Sequence, residues 1–269
     1  MPRLNASNLR RELSRRNVDR AGSFEHEISY GPVPSVLYQD QDRVHGNFLP
    51  ASYRSICAQP DWRRRLAKSY TASRQLVRPW ERKRRELDCA NSSDALLMNV
   101  FCYPRLLHRP EVCALLGIEP GLRPEFGFRA RIPFSNSKTD RTEVDMRLGH
   151  LLVEAKLTEG GFQTASLKLL ARYRDLEEVF NVEDLPATGA AVDSYQLIRG
   201  VLAAHSRNCS FLVICDGRRA DLIEKWFRIQ RAVQSWTLRS RLGLLTWQEL
   251  ALVLPGTLGM FLATKYGID

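Results

Sequence analysis

Two carboxylates and a lysine stand close together in the middle of the chain. Asp145 precedes Glu154, and Lys156 follows Glu154 after a single residue, all within the stretch from Thr142 to Lys156. Like charges brought that close repel, and one takes up a proton unless a cation lies between them. A hard divalent cation such as magnesium satisfies both carboxylates through oxygen. A lysine beside them orients a water molecule or offsets the negative charge that builds on a reacting phosphate. The plainer reading is a surface hairpin with a Glu–Lys pair at its rim.

The elements that must position these groups are two short alternating segments separated by Leu148-Gly149. Val144, Met146 and Leu148 alternate with Glu143, Asp145 and Arg147, and the second segment runs from Leu151 into Glu154 and Lys156. A period of two argues for strands and the glycine for a turn. On a strand, Glu154 and Lys156 point the same way. Register decides whether Asp145 joins them. If Met146 faces Leu151 across a four-residue loop, Asp145 lies diagonal to Glu154 on one face. A three-residue loop with Gly149 left-handed competes, and a slip of one place sends Asp145 to the other face unless a bulge restores the phase.

Val144-Asp145 followed by Val153-Glu154-Ala155-Lys156 resembles the core of the PD-(D/E)xK nuclease superfamily, the restriction-endonuclease-like fold. Val144 stands where the motif's name has proline, a position that varies widely in the superfamily. The resemblance implies Asp145 and Glu154 as ligands of magnesium, with manganese as a substitute. It also implies the Ala155 carbonyl as a further ligand and Lys156 as the catalytic lysine. A glutamine on the helix after Glu-x-Lys marks RecB-like members. Gln196 resembles it, with Gln163 a rival by position. The first core helix of the superfamily often adds an acidic residue, for which Asp94, Glu86 and Asp88 are candidates; Asp94 also suits an N-terminal dipole partner. The Ser92-Ser93-Asp94-Ala95 start of that helix, with Asn99 and the later Tyr195 to Arg199, is similar to a little-characterised bacterial group of restriction-like nucleases.

The 269 residues are 44% hydrophobic, enough to bury a core, and no apolar run is long enough to span a membrane. The N-terminus lacks the apolar stretch of a secretory signal. The six cysteines form no Cys-x-x-Cys pair and read as packed, reduced thiols of a cytoplasmic protein. Net charge is +10, and it is uneven: residues 1–90 hold 18 Lys and Arg against 10 Asp and Glu, whereas the rest hold 22 against 20. A basic excess on one side of the chain suits a polyanion, although solvated basic helices produce the same count. The organisation expected is a basic, partly irregular and helical extension over 1–90 and an α/β catalytic domain over 91–269.

Along the chain, residues 6–17 suit a short helix or disorder, and 23–50 an irregular connection. Helical spacing from Ala51 places Tyr53, Ile56, Trp62, Leu66 and Tyr70 on one stripe beside Arg63, Arg64, Arg65 and Lys68. A second basic cluster, Arg82 to Arg85, follows Trp80. Arginines next to aromatics hold phosphates while rings stack on bases or on the core. Ser92 or Ser93 caps a helix, Pro110 to Leu116 forms another, and Phe126 to Phe134 reads as a first core strand. Thr164 to Phe180 is amphipathic at helical spacing. Asp193 or Ser194 caps a helix running to His205, Ser210 to Cys215 is a doubly buried strand, Asp221 to Val233 a helix and Leu242 to Trp247 a last strand. This order fits a mixed sheet flanked by helices.

The function expected is a metal-dependent nuclease acting on DNA; the alternative is a nucleic-acid-binding protein of the same fold that does not cut. A homodimer is compatible with cutting both strands. No P-loop, Gly-x-Gly-x-x-Gly or Gly-x-Ser-x-Gly motif supports an unrelated α/β enzyme. His150, beside the hairpin turn, reads as a turn residue rather than a base.

Overall fold

A computed structural model describes residues 4–30, 33–70 and 83–269. Contacts divide the chain into a helical unit, Ala6–Leu122 with Trp247–Asp269, and a sheet unit, Arg123–Thr246 with the first residues of the chain. Trp80 and Arg82 lie outside the described residues.

In the helical unit, helix α1 (Ala6–Ala21) buries Leu9, Leu13, Asn17 and Ala21, one residue per turn along a single stripe. Helices α2 (Pro50–Ala58) and α3 (Pro60–Arg65) break the helical run expected from Ala51. Pro60 has no N–H to carry the ladder across, so Tyr53 and Ile56 are buried while Trp62 and Leu66 are only half-buried. Helix α4 (Ser93–Phe101) starts as the sequence suggests, with the Ser92 hydroxyl accepting the Ala95 N–H at 3.2 Å. Helix α5 (Pro110–Leu116) ends at Gly117, whose φ of 62° is the left-handed cap that glycine favours. A helix without a counterpart in the sequence reading, Gly256–Tyr266, closes the chain.

The sheet unit holds strands β1 (Glu125–Arg129), β2 (Glu143–Leu148), β3 (Leu151–Ala155), β4 (Ser210–Cys215) and β5 (Leu242–Thr246), side by side in that order. The pairs β1–β2 and β2–β3 are antiparallel, and β3–β4 and β4–β5 are parallel. Parallel neighbours need crossovers. Helix α6 (Tyr195–Arg207) lies in the first and α7 (Ala220–Ala232) in the second. The architecture is thus the mixed α/β sheet expected. Residues on β3 are buried throughout because neighbours flank both edges and side chains cover both faces. Helix α6 approaches β4 closely at Gly200, where an added Cβ would lie 2.2 Å from the Phe211 ring.

Two expectations give way to tertiary partners. The single strand from Phe126 to Phe134 is broken: Arg131 is left-handed (φ 54°), and Ile132–Pro133 pairs with Thr139–Asp140 instead. The helix expected over 164–180 is a strand, Thr164–Ser166, paired with Ala191–Asp193, followed by two single turns, Leu167–Leu170 and Leu176–Val179. Tyr173, between the turns, bridges to Phe134 and donates its hydroxyl to Asp140 at 2.5 Å.

Candidate active site

The hairpin that carries the acidic residues turns more tightly than expected. Leu148 faces Leu151 and Met146 faces Val153, which leaves only Gly149 and His150 in the loop. Gly149 has φ 55° and His150 is not left-handed, the φ signs of a type II′ turn. Both loop lengths considered from sequence, four residues and three, are therefore corrected. The step from four residues to two moves the pairing by an even number of places, so the side-chain faces survive. Asp145 shares the face of Glu154, and its Oδ2 accepts the Ala155 N–H at 2.8 Å.

Glu154 is 1% exposed and Lys156 5%, and Lys156 Nζ lies 2.6 Å from Glu154 Oε1. Removing two such charges from water costs several kcal/mol each, so they are tolerated only with partners in good geometry. Burial works against the Lys156 ammonium, but the carboxylates of Glu154, Asp145 and Glu159 outweigh it and hold its pKa above the ordinary lysine value. Asp145 is half-buried on the more open strand β2, whose residues alternate between half-buried and buried.

The loop leaving Lys156 is tied down from two directions. Arg219, fully buried, forms a fork with Asp221 at 2.8 and 2.9 Å and donates to the carbonyls of Glu159 (2.9 Å) and Leu157 (3.3 Å). The first N–H groups of α6, from Tyr195 and Gln196, donate to the carbonyls of Gln163 (3.0 Å) and Phe162 (2.9 Å). This backbone cap stands where a side-chain cap from Asp193 or Ser194 was expected; Asp193 Oδ1 accepts the Ser194 N–H instead. Gln163 and Ser194 are both left-handed, at φ 59° and 63°. Gln196 is half-buried in the first turn of α6, and the rival Gln163 is exposed.

Sequence reasoning assigned no role of their own to several groups here. Glu159 Oε2 accepts the Leu157 N–H at 2.7 Å and faces Lys156; an acidic residue just before Gly160-Gly161 was its signal. Buried Arg199 donates to the Glu143 carbonyl at 2.9 Å, fixing the start of β2. Asp140, Tyr173 and Tyr195 form a polar chain beside it, with the two hydroxyls 2.7 Å apart. Burial alone would raise the Asp140 carboxyl, but bonds from Thr142 and Tyr173, with Arg199 nearby, hold it below the usual range. Tyr195 and Arg199 are one helical turn apart, but nothing in spacing links them to residues 140 and 173.

The oxygen donors that could hold a cation are the Asp145 and Glu154 carboxylates with the carbonyl of the next residue, Ala155, an all-oxygen set of the kind magnesium takes. Among the described residues, no three His, Cys, Asp or Glu side chains are placed to hold a metal by themselves. In the helical unit, Asp94 pairs with Lys68 and with Arg65 at 3.3 Å. Asp88 pairs with His45 and Arg85, and Glu86 is half-buried. His150 is an exposed turn residue. All six cysteines are free thiols, five of them buried. Among the described residues, no helix is long and apolar enough to cross a membrane.

A family model described as Restriction Endonuclease associating with ARP matches residues 19–267. No curated protein and no solved structure matches the chain.

Proposed function

Since the chain belongs to the family of restriction endonucleases associating with ARP, we propose that it is a metal-dependent nuclease that hydrolyses phosphodiester bonds in DNA at Asp145, Glu154 and Lys156. The observation that carries this reading is the buried Glu154–Lys156 pair at the end of β3, with Asp145 on the same face. A buried ion pair is costly to keep as mere packing, and perturbed charges gathered at one strand end mark functional sites. Left-handed residues at Gln163 and Ser194 add the local strain that clusters at such sites. The sequential mixed sheet is in keeping with a restriction-endonuclease-like fold.

In this reading Asp145, Glu154 and the Ala155 carbonyl hold magnesium, and manganese shares their preference for oxygen. The bound ion supplies a Lewis acid and an activated water. Lys156 keeps a positive charge beside the scissile phosphate and offsets the charge that grows there. Gln196, on the helix turn fixed to the loop after Lys156, orients the water or the phosphate. Arg219 keeps that loop in place.

Asp145→Asn tests the site with little disturbance, because asparagine preserves the shape and an acceptor for the Ala155 N–H. Cleavage of supercoiled plasmid with magnesium is expected to fall by about a hundredfold or more, with an unchanged circular-dichroism spectrum. Cutting at the parental rate overturns the assignment. Tight DNA binding by the parental protein, with no cleavage in any divalent metal, favours the non-cutting reading.

A further inference from the structure

The helical unit contains a cavity of about 590 Å³, within the roughly 300–1,000 Å³ range of ligand sites. Its wall carries Arg43, Arg54, Arg63 and Arg85 against Asp40 and Asp88. The two carboxylates are engaged by groups of the same wall. Asp40 accepts the Tyr53 hydroxyl and, at 3.2 Å, the Arg43 N–H. Asp88 takes Arg85 Nε at 2.8 Å and His45 Nε2 at 3.2 Å. The Asn47 N–H donates to His45 Nδ1 at 3.2 Å, so the ring proton sits on Nε2 and points to Asp88. The guanidinium groups of Arg43, Arg54 and Arg63 are left without a carboxylate partner among the described residues, around one concavity. Of the basic cluster expected to meet phosphates, Arg64 pairs with Asp61, and Arg65 and Lys68 pair with Asp94.

The backbone adds a second observation. The hairpin formed by Asp40–Gln41 and Val44–His45 turns through Asp42 (φ 52°) and Arg43 (φ 65°). Two successive left-handed residues make the turn that Asn-Gly favours. An arginine there is held in a disfavoured conformation, and such outliers gather at ligand clamps. An adjoining cavity of about 570 Å³ shares Asp40, Arg85 and Asp88 with the first and extends past Lys83 to Tyr30, which is 72% exposed.

We propose that these two joined cavities form a groove for single-stranded nucleic acid, with phosphates on Arg43, Arg54 and Arg63 and a base stacked on Tyr30. A cationic trough flanked by an exposed ring is the arrangement that takes a strand without reading its sequence. None of the groove's residues is used by the Asp145 chemistry, and its test does not use cleavage. Fluorescence anisotropy of a labelled single-stranded oligonucleotide is measured on the full chain in EDTA between 50 and 200 mM salt. Arg54→Ala combined with Arg63→Ala, both exposed positions, weakens binding at least tenfold. It also reduces the slope of log affinity against log salt by about 1.4, from roughly 0.7 for each lost phosphate contact. Tyr30→Ala weakens binding with the slope unchanged. Equal affinity and slope in the double variant and the parent overturn the groove. Full displacement of the strand by millimolar ATP assigns the cavity to a free nucleotide, and a duplex that binds as tightly and loses as much assigns it to double-stranded DNA. Either result overturns the single-strand proposal.

Discussion

Among the described residues two lysines are buried, one in each unit, and their surroundings are opposite. Lys156 has Glu154 at 2.6 Å, with Asp145 and Glu159 close by. Lys265, fully buried, donates to Asn17 Oδ1 at 2.7 Å and to the Ala90 carbonyl at 3.1 Å, and lies 4.7 Å from the centre of the Tyr266 ring. Carboxylates overcome burial at Lys156 and strengthen its hold on the proton. At Lys265 burial dominates, Arg20 adds repulsion, and the amine falls well below the ordinary lysine range. Burial of a lysine is therefore no mark of chemistry by itself. The mark is burial together with carboxylates that have no other reason to converge.

The contrast breaks most visibly at Lys156. Lys156→Ala leaves Glu154 buried and unpaired, and is expected to cost about 3–5 kcal/mol in urea unfolding. That makes it a poor probe of catalysis alone. Combining it with Glu154→Gln should recover most of the loss, the signature of a coupled pair. A cost under about 1 kcal/mol for the single variant would remove the difference between the two lysines.

Lys265→Met is expected to cost less, about 1–3 kcal/mol at neutral pH, by leaving two acceptors unsatisfied. Its pH dependence sharpens the comparison. The folded amine loses its proton at a lower pH than the unfolded one, so the unfolded chain holds more protons through the alkaline range. Parental stability therefore rises with pH toward the ordinary lysine value near ~10.4. Unfolding curves from pH 7 to 10 should show the parent gaining on Lys265→Met; parallel curves would mean that Lys265 titrates normally. Gly200→Ala touches neither lysine. Its Cβ meets the Phe211 ring, and the overpacking, offset in part by better helix propensity, should lower stability by roughly 1–2 kcal/mol. Smallest of all is the Arg54→Ala and Arg63→Ala pair, expected within about 0.5 kcal/mol per site by thermal melting, because neither guanidinium is buried.

Much of the sheet unit could be read directly from the sequence. The apolar run of β4 and the alternation of β2 identify strands because burial writes itself into local pattern, and Ser92 and Pro110 announce their helices. The face shared by Asp145 and Glu154 was one of two the sequence left open, because the turn that decides it was not legible: Gly149-His150 lacks the usual Asn-Gly signal. What failed was decided at a distance. Tyr173 sits at helical spacing among Leu170 and Leu176, yet its bond to Asp140 breaks the helix. The cap of α6 comes from carbonyls more than thirty residues upstream, at Phe162 and Gln163. A composition step near residue 90 carried no hint that the contact division falls after Leu122 or that residues 247–269 return to the helical unit.

That return has a consequence for how the protein is made. Asn17 leaves the ribosome 248 positions ahead of Lys265, whose amine it binds. At cellular synthesis rates the two are separated by on the order of 10–50 s. Throughout that interval α1 lacks one of its buried partners, whereas Arg123–Thr246 is delivered in one continuous run before the interval ends. The strands of the sheet unit can therefore pair during translation, before the helical unit has received residues 247–269.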